Sequence, residues 1–408
     1  MAKPGKTLSI ARLLGACPLP LYLLDAQRTI VYANRACLDW LQLPPEAVLG
    51  RTADYHSQDS SPINFLCPPP TAFAGKHTCA VAVRPAPTLA GLAAGGPAET
   101  IAEAIPLFSP GDEPGSVLVV LRACDDALDI DRPAHDASDL HAALQRIRQA
   151  RAVAAPQLAG VSALAEQLRA QVAVAADSAA NVVIIGPRGA GKIGVAHAIH
   201  AARSVNQRAP LVVVDAEVGT PELLDRAIEA LGGNPRWQRP ANRAASGDVP
   251  PAERQPYGKS TLLLARLDRI SPELTAAVTS RLDVLAGAAV ITTSRRPLAD
   301  LEARGVISAD LACRLATLEI RLPSLAARRD DLPLMVQYLV EALNAQRNVQ
   351  MGGVTRELLA RLAITDFPGE LKQLERILAE GHRRAPGAEI ALADVPLDQR
   401  LHDGRTAA

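Results

Sequence analysis

The chain has 408 residues, with 43 Lys and Arg balanced by 43 Asp and Glu; 48% of its residues are hydrophobic and 21% charged. This fits a globular protein of about two to three domains and excludes a disordered polymer, a collagen, a coiled-coil rod and a histone-like binder with an overall basic field. No run of about 20 apolar residues lies free of charges and turn clusters. Six scattered cysteines offer no C-x-x-C pair and no clustered histidine, so neither a metal site nor a disulfide framework is expected, and a reducing cytoplasm is the expected home.

The run LLGACPLPLYLL (13–24) is interrupted by two prolines and lacks a small-x-small cleavage site, so it reads as a core strand and not as a signal peptide. LYLLD (21–25) and TIVYA (29–33) flank a turn and predict a hairpin, after which Asn34 is placed to cap the helix RACLDWLQL. KHTCAVAVR (76–84), TIAEAIPLF (100–108) and SVLVVLR (116–122) complete a predicted five-stranded antiparallel sheet with helices on one face. The run D-x-x-x-x-I-V-Y-A-N-R-A, followed by L-P-P-E-A-V-L-G-R, resembles a PAS sensory domain over residues 8–122. Many unrelated sensors share that fold, so it names no ligand. His56 and His77 read as surface or core residues, not haem ligands, and no flavin-type cysteine motif is present.

An acidic linker, Cys124 to Asp139, leads into DLHAALQRIRQAR, where Leu140, Leu144 and Ile147 recur at helical spacing; helix 138–151 is read as a signalling helix. NVVIIGPRGAGKIGVAHAIH (181–200) then gives an apolar strand, a G-x-x-x-x-G-K loop and a helix. In such a loop backbone N–H groups wrap phosphate oxygens and the lysine meets the outer phosphates. Gly186, Pro187, Arg188, Gly189, Ala190, Gly191, Lys192 and Ile193 are the predicted nucleotide-binding residues. Ile193 stands where a Ser or Thr hydroxyl often meets magnesium.

From LAGVSALAEQLRAQVAVAADSAANVVIIGPRGAGKIGVAHAIH (158–200) onward the chain resembles the central AAA+ domain of bacterial enhancer-binding proteins, the activators of sigma-54 RNA polymerase. The resemblance resumes at TLLLARLDRISPEL (261–274), at 290–335 and at AITDFPGELKQLERIL (363–378). It implies an α/β fold with an N-terminal α+β PAS domain, an AAA+ P-loop core with a parallel sheet, and a C-terminal α-helical lid. The expected boundaries are a sensor at 1–124, a linker and signalling helix at 125–156, the core at 157–322, the lid at 323–398 and a tail at 399–408.

Against the family pattern the working positions depart. Hydrolysis needs one carboxylate to hold magnesium and another to activate water. The family ends its third strand in Asp-Glu, whereas TLLL is followed here by Ala265 and Arg266. Asp268 is read as past the strand end and on the wrong side to substitute. Ser294 replaces the sensor asparagine, and Ser308 replaces one of two arginines that reach a neighbouring subunit's nucleotide; Arg314, the other, is retained. Lys372 stands where the lid places an arginine, keeping charge but losing the planar fork. The G-A-F-T-G-A tip that engages sigma-54 is missing; the loop 232–260, with Arg236, Arg239, Arg243, Arg254 and Trp237, occupies that gap and reads as a solvated loop, not a nucleic-acid patch. No helix-turn-helix follows the lid, so no direct DNA binding is expected.

The leading reading is a PAS-coupled pseudo-ATPase that holds ATP or ADP, with magnesium open, and acts as regulator or scaffold through self-association or assembly with related AAA+ proteins. Two alternatives stand beside it: a slow ATPase that remodels sigma-54 RNA polymerase, and a nucleotide-free interaction module. No membrane partner is expected.

Overall fold

In a computed structural model, described over residues 14–56, 63–83, 99–108, 114–123, 137–150, 155–178, 180–203, 209–232, 260–283, 285, 288–347 and 349–397, the chain forms two compact units. The first comprises Met1–Arg146, Val336–Thr365 and Glu375–Ala408, and the second Ile147–Met335 and Asp366–Leu374. Most of the acidic linker and most of the Arg-bearing loop, including Arg236, Trp237, Arg239, Arg243 and Arg254, lie outside the described residues. No described helix is long and apolar enough to cross a membrane.

The first unit contains strands β1 (Leu21–Asp25), β2 (Ile30–Ala33), β3 (Thr78–Val83), β4 (Glu99–Phe108) and β5 (Pro114–Ala123), paired antiparallel in the order β2-β1-β5-β4-β3. The Asp25 carboxylate accepts the N–H groups of Gln27 and Thr29 at 2.9 and 2.8 Å, and this local turn closes the first hairpin. Tyr22 and Leu24 alternate into one face with Val117, Val119 and Leu121, giving the half-covered sheet that period-two patterning predicts. Asn34 caps helix α1 (Arg35–Leu41): its Oδ1 accepts the Cys37 N–H at 2.9 Å and the Leu21 N–H at 3.1 Å. Its amide also donates to Cys17 O and Leu19 O, tying the entering chain to the sheet.

Helix α2 (Ala137–Ala150) forms where the sequence predicts a helix over 138–151, with Leu140 and Leu144 buried at its helical spacing. His77 is exposed and paired with Glu103 at 2.9 Å, whereas His56 is largely buried.

In the second unit, β6 (Val182–Ile185), β7 (Leu211–Asp215), β8 (Thr261–Ala265), β9 (Ala289–Ser294) and β10 (Leu318–Arg321) form a wholly parallel sheet ordered β10-β6-β9-β8-β7. The three inner strands are buried along their length, which accounts for the apolar runs of β6 and β8; β9 buries Thr292, Thr293 and Ser294 as well, and edge strand β7 is only partly covered. Helix α3 (Ala163–Asp177) precedes β6, and crossovers run through α4 (Lys192–Arg203), α5 (Pro221–Gly232), α6 (Pro272–Arg281) and α7 (Ala309–Leu315). Helices α8 (Leu332–Asn344), α9 (Arg356–Ile364) and α10 (Glu370–Arg384) make the C-terminal region helical.

Burial pushes the thiols of Cys37 and Cys67 up to about 12, while Cys313 is exposed. Alkylation of the native protein at neutral pH is therefore expected to mark Cys313 first and to leave Cys37 and Cys67 until unfolding, as peptide mapping of timed samples would reveal.

Candidate functional site: the phosphate loop and its surroundings

The loop runs from the end of β6 into the first turn of α4. Gly189 and Gly191 have φ of +88° and +84°, a region that L side chains rarely enter. Each is also crowded: a Cβ on Gly191 would lie 1.4 Å from Gln157 Nε2, and one on Gly189 would lie 2.2 Å from Gly369 O. Lys192 begins the helix and its ammonium donates to Gly186 O and Pro187 O, both at 2.8 Å. Desolvation holds the Lys192 pKa below its ordinary value; the Asp268 carboxylate opposes that shift and the Arg295 guanidinium adds to it. Arg188 and Ile193 are exposed, and Pro187 and Ala190 complete the turn with an Ala190 N–H to Pro187 O bond of 3.3 Å.

Gln157 is the loop's main support. Its side chain donates to Ala190 O and Gly191 O at 3.2 and 3.1 Å, while its own carbonyl accepts Arg328 Nη1 at 2.8 Å. Arg328 forms a buried ion pair with Asp331, with side chains 3% and 0% exposed. The other Asp331 oxygen accepts the N–H groups of Val161 and Ser162 at 3.0 and 2.9 Å, and Ser162 caps α3. Gly160 fits beneath because a Cβ there would meet the Asp331 carboxylate at 2.4 Å.

The segment 369–372 lies over the loop. Lys372 donates its backbone N–H to Gly189 O at 3.1 Å, and its side chain is exposed. The carboxylate of Glu370, itself at φ +55°, accepts the Leu325 N–H at 2.6 Å. Between this segment and the loop, among Gln157, Ala190, Leu322, Met335 and Leu371, remains a cavity of about 10 Å³, room for about one water. A larger cavity of about 410 Å³ lies between α3 and β10 and contains no phosphate-loop residue.

At the end of β8 stands no carboxylate. Ala265 is 2% exposed and packed, and Arg266 takes a left-handed conformation, φ +61°. Its backbone N–H donates to Thr293 Oγ1 at 3.0 Å, and its guanidinium is clasped by both Asp215 oxygens and by Glu217. The hydrogen bond to Asp215 is the main reason the Arg266 pKa lies above its usual range. The register that sets Asp215 beside Ala265 makes this clasp possible.

Asp268 lies past the end of β8, as the sequence places it. The left-handed turn at Arg266 reverses the chain into a tight helical turn, Leu267–Arg269, and brings the Asp268 side chain inward, 5% exposed, where its charge acts on Lys192. That carboxylate is engaged by Arg295, through its N–H at 3.1 Å and Nε at 2.8 Å. Ser294 closes a local turn with Arg296, donating to its carbonyl at 2.7 Å. Ser308 caps α7 by accepting the Leu311 N–H at 3.2 Å, and Arg314 is held by Asp283 and Asp310. The fold thus gathers Gly186 to Lys192, the Lys372 backbone and Asp268 around one loop. Gln157, Arg328 and the Asp215–Glu217 clasp carry no sequence periodicity and emerge only from the fold.

Strand order, loop and helical C-terminal region define a P-loop NTPase of the AAA+ class, in a chain that also carries a PAS-type sheet. Family profiles match in the same order: PAS fold over residues 14–124, Sigma-54 interaction domain over 158–234 and AAA+ ATPase lid domain over 326–407. Over these three segments the chain is similar to the PAS, Sigma-54 interaction and AAA+ lid families. It is 30% identical over 267 residues to the nitrogen assimilation regulatory protein NtrX of Azorhizobium caulinodans, covering 62% of this chain and 57% of that one. It is 28% identical over 252 residues to the transcriptional regulatory protein ZraR of Escherichia coli K12, covering 59% and 55%. Among solved structures, NtrX from Brucella abortus in complex with ATP shares 25% identity at a TM-score of 0.45, covering 59% of this chain and 54% of that one. The chain spans about half the length of the curated relatives it matches.

Removing the carboxylate beneath the loop is the direct test of its support. Asp331→Ala strands the Arg328 cation in a dry site and is expected to cost about 3–5 kcal/mol. Denaturant unfolding of the full chain checks this, with the paired Arg328→Met, Asp331→Leu variant expected to lose much less.

Proposed function

We propose that this chain is a signal-responsive transcription-regulatory protein of the sigma-54 activator type, whose AAA+ domain holds ATP or ADP as a ligand without hydrolysing it. It acts in the cytoplasm as a regulator or scaffold, by self-association or by assembly with related AAA+ proteins. The observation that carries this reading is the Arg266 guanidinium, clasped by Asp215 and Glu217 at the strand end where a hydrolase needs carboxylates. A cation there repels magnesium, and the Ala265 methyl offers no base for an attacking water. Asp215 and Glu217 are taken up by Arg266, and Asp268 is engaged by Arg295.

Nucleotide holding rests on the preserved half of the machine: left-handed glycines, inward backbone groups and a desolvated lysine whose charge a phosphate would satisfy. Lys372 and Arg314 retain positive charge at positions that the family turns toward phosphate. Entry of the base requires segment 369–372 to lift from Gly189, since the cavity beneath it is about 10 Å³. A signal at the PAS sheet would act through helix α2 by shifting the population of AAA+ conformations, with nucleotide as effector and not as fuel. Sigma-54 RNA polymerase is the partner that the domain type implies, and engagement would have to proceed without the G-A-F-T-G-A tip.

The closed cavity favours a second reading, a nucleotide-free interaction module, and one experiment separates the two. The full chain is heated with and without ATP, in magnesium and in EDTA, beside Lys192→Ala. Nucleotide binding predicts a rise in melting temperature, equivalent to about 2.7 kcal/mol at a hundred times Kd, that Lys192→Ala abolishes. An unchanged melting temperature in both proteins would replace this reading with the interaction module.

A further inference from the structure

The sequence holds no clustered histidines, yet the first unit brings two together with a buried acid. His56 lies after α1 in the first unit, His141 lies on α2 and Glu341 on α8, and one ligand atom from each lies within 4.8 Å of the others. His141 Nδ1 is 2.7 Å from Glu341 Oε1, and His56 Nε2 is 3.8 Å from the same oxygen. The carboxylate side chain is 3% exposed, the imidazoles 12% and 11%.

Neighbouring groups hold these side chains in place. Gln337 Nε2 donates to Glu341 Oε1 at 3.1 Å and to Gly352 O at 3.0 Å. Asn344 Nδ2 meets His56 Nδ1 at 2.7 Å, and the amide is itself fixed by bonds with the Met351 backbone and His382. The Tyr55 ring packs against both imidazoles, at centroid distances of 4.0 and 5.2 Å.

We propose that His56, His141 and Glu341 form a binding site for an exchangeable divalent transition-metal ion of the zinc type. Two imidazoles and one carboxylate suit such an ion and leave a fourth position for water, whereas calcium and magnesium favour oxygen ligands. In the metal-free state the buried carboxylate is compensated by hydrogen bonds from His141 and Gln337; a divalent ion compensates it by charge. Metal–ligand bonds of about 2.0–2.2 Å require ligand atoms about 3.3 Å apart, so the His141–Glu341 contact opens by roughly half an ångström on filling.

The protons balance without net release from neutral rings. His141 gives up the Nδ1 proton that it shares with Glu341 and carries its proton on Nε2. His56 ligates through Nε2 and carries its proton on Nδ1, where the Asn344 amide donates in the metal-free state. That contact must turn over on binding, which weakens the site and makes it exchangeable, unlike a permanent structural zinc. An ion here joins the PAS segment, the signalling helix α2 and helix α8, giving the first unit an input independent of the nucleotide.

The test uses chelator-stripped full-length protein titrated with Zn²⁺ by calorimetry, and with Co²⁺ as a spectroscopic probe. One zinc equivalent is expected, with Co²⁺ ligand-field bands free of thiolate charge transfer. Glu341→Gln and His141→Gln should each weaken uptake by more than about tenfold, the loss that even an outer-shell change produces. Circular dichroism checks that both variants fold. Zinc should also shield His56 and His141 of the wild type from diethylpyrocarbonate, a readout that needs no variant. Uptake unchanged in both folded variants, a thiolate band, or no shielding would overturn the site.

Discussion

The Asp331 carboxylate, withdrawn entirely from water, is the support on which the nucleotide end of the second unit rests. It fixes Arg328 and the start of α3, Arg328 holds the Gln157 carbonyl, and the Gln157 side chain holds the loop from beneath. A buried ion pair is a costly way to gain stability, because desolvation offsets most of its attraction. Its value here is positional. Gly160, Gly189 and Gly191 all sit where a single added carbon would strike a neighbour, so each position needs glycine in this arrangement.

In the proposed reading, nucleotide holding and hydrolysis draw on different parts of this fold, the loop at the end of β6 and the strand end at β8. The loop, its lysine and its supports form a coherent cradle at the end of β6. At the end of β8 the chemistry is inverted: a cation stands where acids are needed, and two acids on the β7 side hold it. Arg266 pays about 1–2 kcal/mol for its left-handed backbone, offset by a backbone bond to Thr293 and by the clasp, whose exposed members contribute modestly. Asp268, in the turn that follows, keeps an acid in the region, but it is committed to Arg295.

The strands were legible because short apolar runs bounded by turn residues mark them: LYLL in β1, VLVVL in β5, VVII in β6 and LLLA in β8. Asn34 as a cap and the glycine-rich loop carry local chemistry that a linear reading finds. What the sequence concealed depends on register and on the path after a strand end. Asp215 and Arg266 become partners only when β7 and β8 align, and Asp268 meets Arg295 after a turn in which a non-glycine residue adopts φ +61°. Gln157 lies in a short turn with no periodic signal, and His56, His141 and Glu341 belong to segments far apart in the chain. Side chains that act alone or in local motifs were readable; those that act across elements were not.

Phosphate release by the full chain at high protein concentration and saturating ATP with magnesium, measured beside Lys192→Ala, addresses the central claim most directly. Release indistinguishable from Lys192→Ala is the predicted result, leaving nucleotide as a ligand alone. Turnover that Lys192→Ala removes would contradict it, and would make Asp268 or another acid a working substitute for the carboxylates missing at Ala265 and Arg266.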